Sequence, residues 1–241
     1  MTDVDDARRH ELARNLRTVH DRIAAAADSA GRAADEITLV VVTKTYPASD
    51  VVALVELGVT DVGENRHPEA ARKRDEAGEA AAGLRWHFVG GLQTNKAAAV
   101  ARYADVVHSV DRPRLVDALD GGAQRAGRHV GVLVQVNLEG RDDDPVGRAG
   151  AAPGEVLELA ARIAQAQALT LEGVMAVAPL DADPDDAFAR LAEIAASVAA
   201  AHPGATAISA GMSGDLEAAV RHGATHVRIG RSVLGERPPL G

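Results

Sequence analysis

The chain has 241 residues, with 35 acidic against 26 basic side chains, a formal net charge of −9 and no cysteine. That balance leaves no basic footprint for nucleic acid, and the missing thiols exclude disulfides, cysteine–zinc sites and thiol catalysis. No apolar run approaches bilayer length, and with 46% hydrophobic but only 2% aromatic residues the core must be built from Val, Leu, Ile and Ala.

The first element in chain order is a long helix over about residues 5–30, placed to close a barrel floor or to pack beside the last short helix. The N-terminus carries charges throughout and has no apolar h-region, so it does not read as a secretory signal, and a cytoplasmic protein is expected. Short apolar runs then alternate with Ala-rich amphipathic stretches. Strands are expected at 37–44, 61–65, 85–90, 106–110, 131–138, 171–177, 207–211 and 226–230. Helices are expected at about 47–57, 67–82, 93–102, 111–127, 152–167, 184–201 and 213–222. Asp183-Pro184 reads as an N-cap followed by Pro at the first helical position. Strand–helix alternation argues for parallel βαβ units, and eight of them make a closed barrel. The expected fold is therefore α/β, a single (β/α)8 TIM-type barrel with an extra N-terminal helix, forming one domain over residues 1–241. The polar loop 139–154 follows strand five on the face where barrels place their sites.

Barrel chemistry sits at the C-terminal ends of the strands, where this chain concentrates its polar residues. Strand one ends in LVVVTK, so a period of two puts Val40, Val42 and Lys44 on one face. If that face lines the barrel, desolvation favours the neutral amine that attacks an aldehyde. A lysine snorkelling to solvent at a strand end fits the same pattern equally well. SAGMSG (209–214) and RIGRS (228–232) follow strands seven and eight, where barrels commonly bind phosphate. Ser209 offers a hydroxyl, Ser213 can cap the helix over 214–222, Gly230 allows close backbone approach, and the Arg231 and Ser232 amides open a short helix. Plain turn chemistry explains either segment alone; the two together favour an anion, although Asp215 and Glu217 oppose one. Arg228, two residues before Gly230, can point inward toward a ring nitrogen or pair with an acid. His87 is either a site residue or a packed strand residue. His226 lies at the wrong end of its strand for the site, and the remaining histidines considered, 67, 129, 202 and 222, form no metal-ligand spacing.

Taken together, VVVTKTYP, VGENR, WHFVGGLQTNK, VHSVDR, VLVQVN, LEGVMAV, SAGMSGDLEAAVRHGATHVRIG and the final GER resemble the pyridoxal phosphate homeostasis proteins (YggS/PROSC family), relatives of the alanine racemase N-terminal domain. The resemblance implies pyridoxal 5′-phosphate held as an internal aldimine on Lys44. It places Ser209, Met212, Ser213, Gly230 and Arg231 around the phosphate, Arg228 at the pyridine nitrogen, and Asn65, His87 and Met175 around the ring. Leu234 stands where the family usually has Phe, and Arg148 replaces a common Lys in the loop after strand five.

An arginine at the ring nitrogen leaves the ring a weak electron sink, and racemisation needs acid/base groups on both faces of the α-carbon. Alanine-racemase-like enzymes draw one of these from a second domain and a dimer partner, and the barrel here consumes the chain. Tyr46 can reach the mouth of the site only from the lysine's side, and Tyr103 falls in a helix. The expectation is a monomeric carrier or regulator of the cofactor without turnover, handing it to pyridoxal phosphate-dependent apoenzymes. An amino-acid racemase or a Schiff-base aldolase is the rival reading.

Overall fold

The computed structural model describes residues 3–139 and 150–236. Most of the loop after strand five, Arg148 and the RPPLG tail lie outside the described residues. Eight parallel strands close into one barrel in chain order: β1 (Thr38–Val42), β2 (Asp61–Glu64), β3 (Arg85–Phe88), β4 (Val106–Val110), β5 (Val130–Gln135), β6 (Leu169–Met175), β7 (Ala207–Ser209) and β8 (His226–Ile229). β1 closes the ring on β8 through Val40↔Arg228 and Val41↔Ile229. This is the (β/α)8 architecture expected from the alternation of apolar runs and amphipathic stretches.

Six of the eight strands are shorter than expected, mostly because their last residues turn out of the ladder to form the mouth, while β4 keeps the expected bounds and β6 is shifted two residues toward the N-terminus. The helices are α1 (Asp3–Ser29), α2 (Ala48–Glu56), α3 (Glu69–Ala77), α4 (Ala97–Val100), α5 (Pro113–Ala126), α6 (Val156–Ala164), α7 (Pro184–Ala201), α8 (Leu216–Arg221) and α9 (Arg231–Leu234). Several expected helices lose a turn to 3-10 geometry, at Gly78–Ala81, Thr94–Lys96 and Pro153–Glu155. Asp183 caps α7 as anticipated, accepting from the Asp185 amide at 2.9 Å, with Pro184 at the first helical position. Ser213 does not cap α8. That helix starts later, and its N-cap is Asp215, because the Ser213 hydroxyl is engaged by Ser232 at 3.0 Å.

Leu12, Leu16, Val19, Ile23 and Ala27 recur at helical spacing and are buried against Ile37, Val41, Val227 and Val233. Each large side chain in that stripe contributes roughly 2 kcal/mol by transfer from water. So α1 does not close the floor; it packs on the outside of β1 and β8, beside α8 and α9. Arg8 reaches Asp50 on α2 (2.7 Å) and the Leu234 carbonyl (3.0 Å), while Arg22 grips Glu217 on α8 and the Ser213 carbonyl. Between the strands and the outer helices lies the main aliphatic shell, with Trp86, Phe88 and Phe188 as its large members. Gly173, at φ 151°, sits where a Cβ would meet the Ala207 carbonyl at 1.9 Å, so only glycine lets β6 pair with β7 there. No helix of the described residues is long and apolar enough to cross a membrane.

Candidate functional site

A cavity of about 420 Å³ opens at the C-terminal end of the barrel, within the range typical of small-molecule sites. Its lining contains eight of the ten residues singled out from sequence: Lys44, Asn65, Met175, Met212, Ser213, Arg228, Gly230 and Arg231. The other two, His87 and Ser209, are buried and do not line it. Strand alternation accounts for the convergence: Val42 and Lys44 share a face as expected, and both line the cavity. Gly90 is required close by, because a Cβ there would lie 2.3 Å from the Asn65 carbonyl.

The Lys44 side is held from outside the barrel. Lys44 is half-buried, and its amine has no hydrogen-bond or ion-pair partner among the described residues. The residues on either side of it are gripped firmly. Thr43 donates its hydroxyl to Glu64 Oε1 at 2.7 Å and gives its carbonyl to Lys73 Nζ at 2.7 Å. Lys73, on α3, is itself ion-paired with Glu64, and both are buried. Burial pushes the Glu64 carboxyl above its ordinary range despite that cation. Thr45, β-branched at φ 69°, holds a strained conformation while its amide donates to Glu69 Oε1 at 2.8 Å.

On the opposite side, Arg228 is buried and aimed by two neutral acceptors: Ser209 Oγ at 2.7 Å and the Ala176 carbonyl at 2.9 Å. Burial pulls its guanidinium down to about 10, which leaves it protonated at neutral pH. No carboxylate pairs with it among the described residues, so its charge faces the cavity.

The two final turns supply donors. The amides of Ser213, Gly214, Arg231 and Ser232 donate to no acceptor among the described residues, and the Ser232–Ser213 hydroxyl contact ties the turns together. Of the two acids that counted against an anion, Glu217 pairs with Arg22, while Asp215 accepts from the Met212 amide at 2.6 Å and its charge acts on Arg228.

Neither tyrosine reaches the cavity. Tyr46 is buried and donates its hydroxyl to the Gly235 carbonyl at 2.7 Å, turned away from the mouth. Tyr103 is buried just past α4, stacked on His67. Sequence reasoning missed Lys73 and His108. The signal for His108 was the HS pair in the middle of the apolar strand VVHSV. Lys73 gave none, since a lysine on a polar helix normally faces water.

The alanine racemase N-terminal domain model matches residues 11–238. The chain is 43% identical to the pyridoxal phosphate homeostasis protein of Mycobacterium bovis, over 95% of this chain and 94% of that one. It is 36% identical to the Escherichia coli K12 protein of the same name, over 95% and 97%. Among solved structures, PipY of Synechococcus elongatus with PLP bound superposes with a TM-score of 0.78 at 29% identity, covering 93% of this chain and all of that one. With the family model spanning nearly the whole barrel and these relatives aligned end to end, the chain belongs to the pyridoxal phosphate homeostasis protein family, built on the alanine racemase N-terminal domain.

Proposed function

We propose that this chain binds pyridoxal 5′-phosphate covalently through Lys44 and acts in intracellular cofactor homeostasis as a carrier or regulator without turnover of its own. The observation that carries the reading is the meeting, in one cavity, of a lysine amine, a guanidinium in no ion pair and two turns of amides, the amine and the amides without partners among the described residues. When bound, the cofactor supplies an aldehyde electrophile and a conjugated ring. The protein's part is to present the Lys44 amine to the aldehyde, to accept the phosphate on the Ser213, Gly214, Arg231 and Ser232 amides, and to set Arg228 against the ring nitrogen. Asn65, Met175 and Met212 complete the walls around the ring and phosphate, and Gly230 leaves room for the phosphate at the backbone. His87 and Ser209 act from beneath, through Arg228.

The cavity also supports the non-catalytic reading. Its titratable lining is Lys44, Arg228 and Arg231. A racemase needs a second acid/base group facing the first across the α-carbon; among the described residues the lining offers no carboxylate, imidazole or phenol. An arginine at the ring nitrogen, which cannot give up its proton near neutral pH, further weakens the ring as an electron sink. The same reading gives a monomeric cytoplasmic protein of one domain, whose protein partners are apoenzymes that use the cofactor.

The test is spectroscopic. Purified protein incubated with pyridoxal 5′-phosphate should show a visible band that borohydride abolishes, and mass mapping should find the reduced adduct on Lys44. Lys44→Ala should lose the band completely. A band that survives this substitution, or an adduct on Lys73 or Lys96, sinks the assignment. A carrier should leave the Cα–H of added amino acids unexchanged in deuterated water, whereas a racemase would exchange it.

A further inference from the structure

Beneath the cavity a continuous polar column runs through a barrel interior that aliphatic side chains ordinarily fill. At the closed end, Asp61 on β2 meets His87 Nε2 at 2.8 Å. His87 Nδ1 meets His108 Nε2 at 2.8 Å, and His108 Nδ1 meets Ser209 Oγ at 2.9 Å. Ser209 Oγ then accepts from Arg228 at 2.7 Å. His87, His108, Ser209 and Arg228 are all nearly inaccessible to solvent.

The proton arrangement follows from what each group is able to do. Arg228 only donates, so Ser209 must accept from it. The one proton of Ser209 then has His108 Nδ1 as its remaining partner. His108 is therefore an acceptor at Nδ1 and carries its proton on Nε2, which it donates to His87 Nδ1. His87 in turn carries its proton on Nε2 and donates it to Asp61, which only accepts. Burial agrees, pushing the His108 imidazole well below its ordinary value and so keeping it neutral. Burial also pushes the Asp61 carboxyl up, but hydrogen bonds from His87 and Thr60 outweigh this and hold it below the ordinary range, as an anion. The other charged and titratable groups beside the column are Arg85, paired with Glu172 at 2.5 Å, and His226, whose ring lies 6.2 Å from that of His87. A one-way donor at the top and a one-way acceptor at the bottom leave a single consistent arrangement.

We propose that Asp61, His87 and His108 are positioning residues: a carboxylate at the closed end of the barrel fixes the direction of every hydrogen bond in the column and so locks the Arg228 guanidinium in its aim at the ligand. In this role Asp61 never touches the cofactor. The inference deepens the cofactor-binding reading and rests on it for what Arg228 faces, but the column itself can be tested without any cofactor.

The first measurement is ring-nitrogen NMR of histidine-labelled apoprotein. His87 and His108 should both carry a ring proton on Nε2 and leave Nδ1 bare. A proton on Nδ1 of either ring overturns the proposal, and this needs no variant. The second measurement uses Asp61→Asn, whose amide can either accept or donate. It should split the ring signals into two tautomer sets and raise the Kd for pyridoxal 5′-phosphate about fivefold, the effect of weakening one hydrogen bond. A single unchanged tautomer set, or a Kd within about twofold of the parent, overturns it. If the parent protein shows no visible band with the cofactor, the binding reading fails while the NMR result still decides the column.

Discussion

The two sides of the cavity are held in opposite ways. On the β1 side, the residues flanking Lys44 are clamped from outside the barrel by the Lys73–Glu64 pair and Glu69, while the Lys44 amine is left with no partner among the described residues. On the β8 side, Arg228 is itself the fixed group, tied by its guanidinium to Ser209 and Ala176 and braced from below. The difference matches the chemistry asked of each. A lysine that captures an aldehyde must shed a proton and move, so the scaffold fixes its backbone and frees its tip. An arginine that only presents donors to a ring must do neither, so the scaffold fixes the tip.

Near neutral pH the largest effect should come from breaking the outer clamp. Lys73→Met leaves the Glu64 carboxylate buried without its cation, which should cost about 3 kcal/mol of stability near neutral pH. Burial already pushes the Glu64 carboxyl up with Lys73 present; without the cation its folded-state pKa rises further above the unfolded value. Protonation then favours the folded state, so the loss should be small near the ordinary carboxyl range and grow as pH rises through the raised value. Denaturant melts at about pH 5 and 8 give the test, and a deficit that shrinks with rising pH would contradict it. Adding Glu64→Gln should recover much of the deficit, because an amide no longer carries the buried charge.

Acid should expose the inner side next. Burial holds His108 well below the ordinary imidazole value of 6.5 and lowers His226 to about 4. Both folded-state values are depressed, so between 6.5 and about 4 the unfolded chain binds protons that the folded barrel refuses. Stability should therefore fall as pH falls through that window, by about 1.4 kcal/mol per pH unit for each imidazole. His226→Asn should roughly halve the slope contributed by the pair. An unchanged slope would mean that this ring titrates freely in the fold.

What was readable in the sequence follows the same division. Barrel closure was legible because apolar runs and amphipathic stretches alternate eight times, and Lys44 because LVVVTK fixes its face by period two. Arg228 was placed by its distance from Gly230. The supports were not legible. Lys73 sits on a helix of mostly charged residues, and only the three-dimensional approach of α3 to β2 turns it inward. The column joins Asp61, His87, His108 and Ser209 from four strands, and no spacing along the chain links them. Ser213 was misread as a cap because a hydroxyl before a helix usually caps it; here the neighbouring turn claims the hydroxyl.

The smallest effect should fall on the residue that looks most like a phosphate ligand. Arg231 is exposed and has no ion pair among the described residues, whereas the amides around it have fixed directions and no acceptor. An exposed cation near an anion is worth about 0.2–1 kcal/mol. Arg231→Ala should therefore raise the Kd for pyridoxal 5′-phosphate by less than about fivefold and flatten its salt dependence. Arg228→Ala, which removes a buried charge and strands the Ser209 and Ala176 acceptors that held it, should raise the Kd by more than tenfold. Titrations of both variants at two ionic strengths order the contributions. Should Arg231 outweigh Arg228, side-chain charge rather than fixed backbone would hold the phosphate, and the rigid side of the cavity would lose its claim to precision.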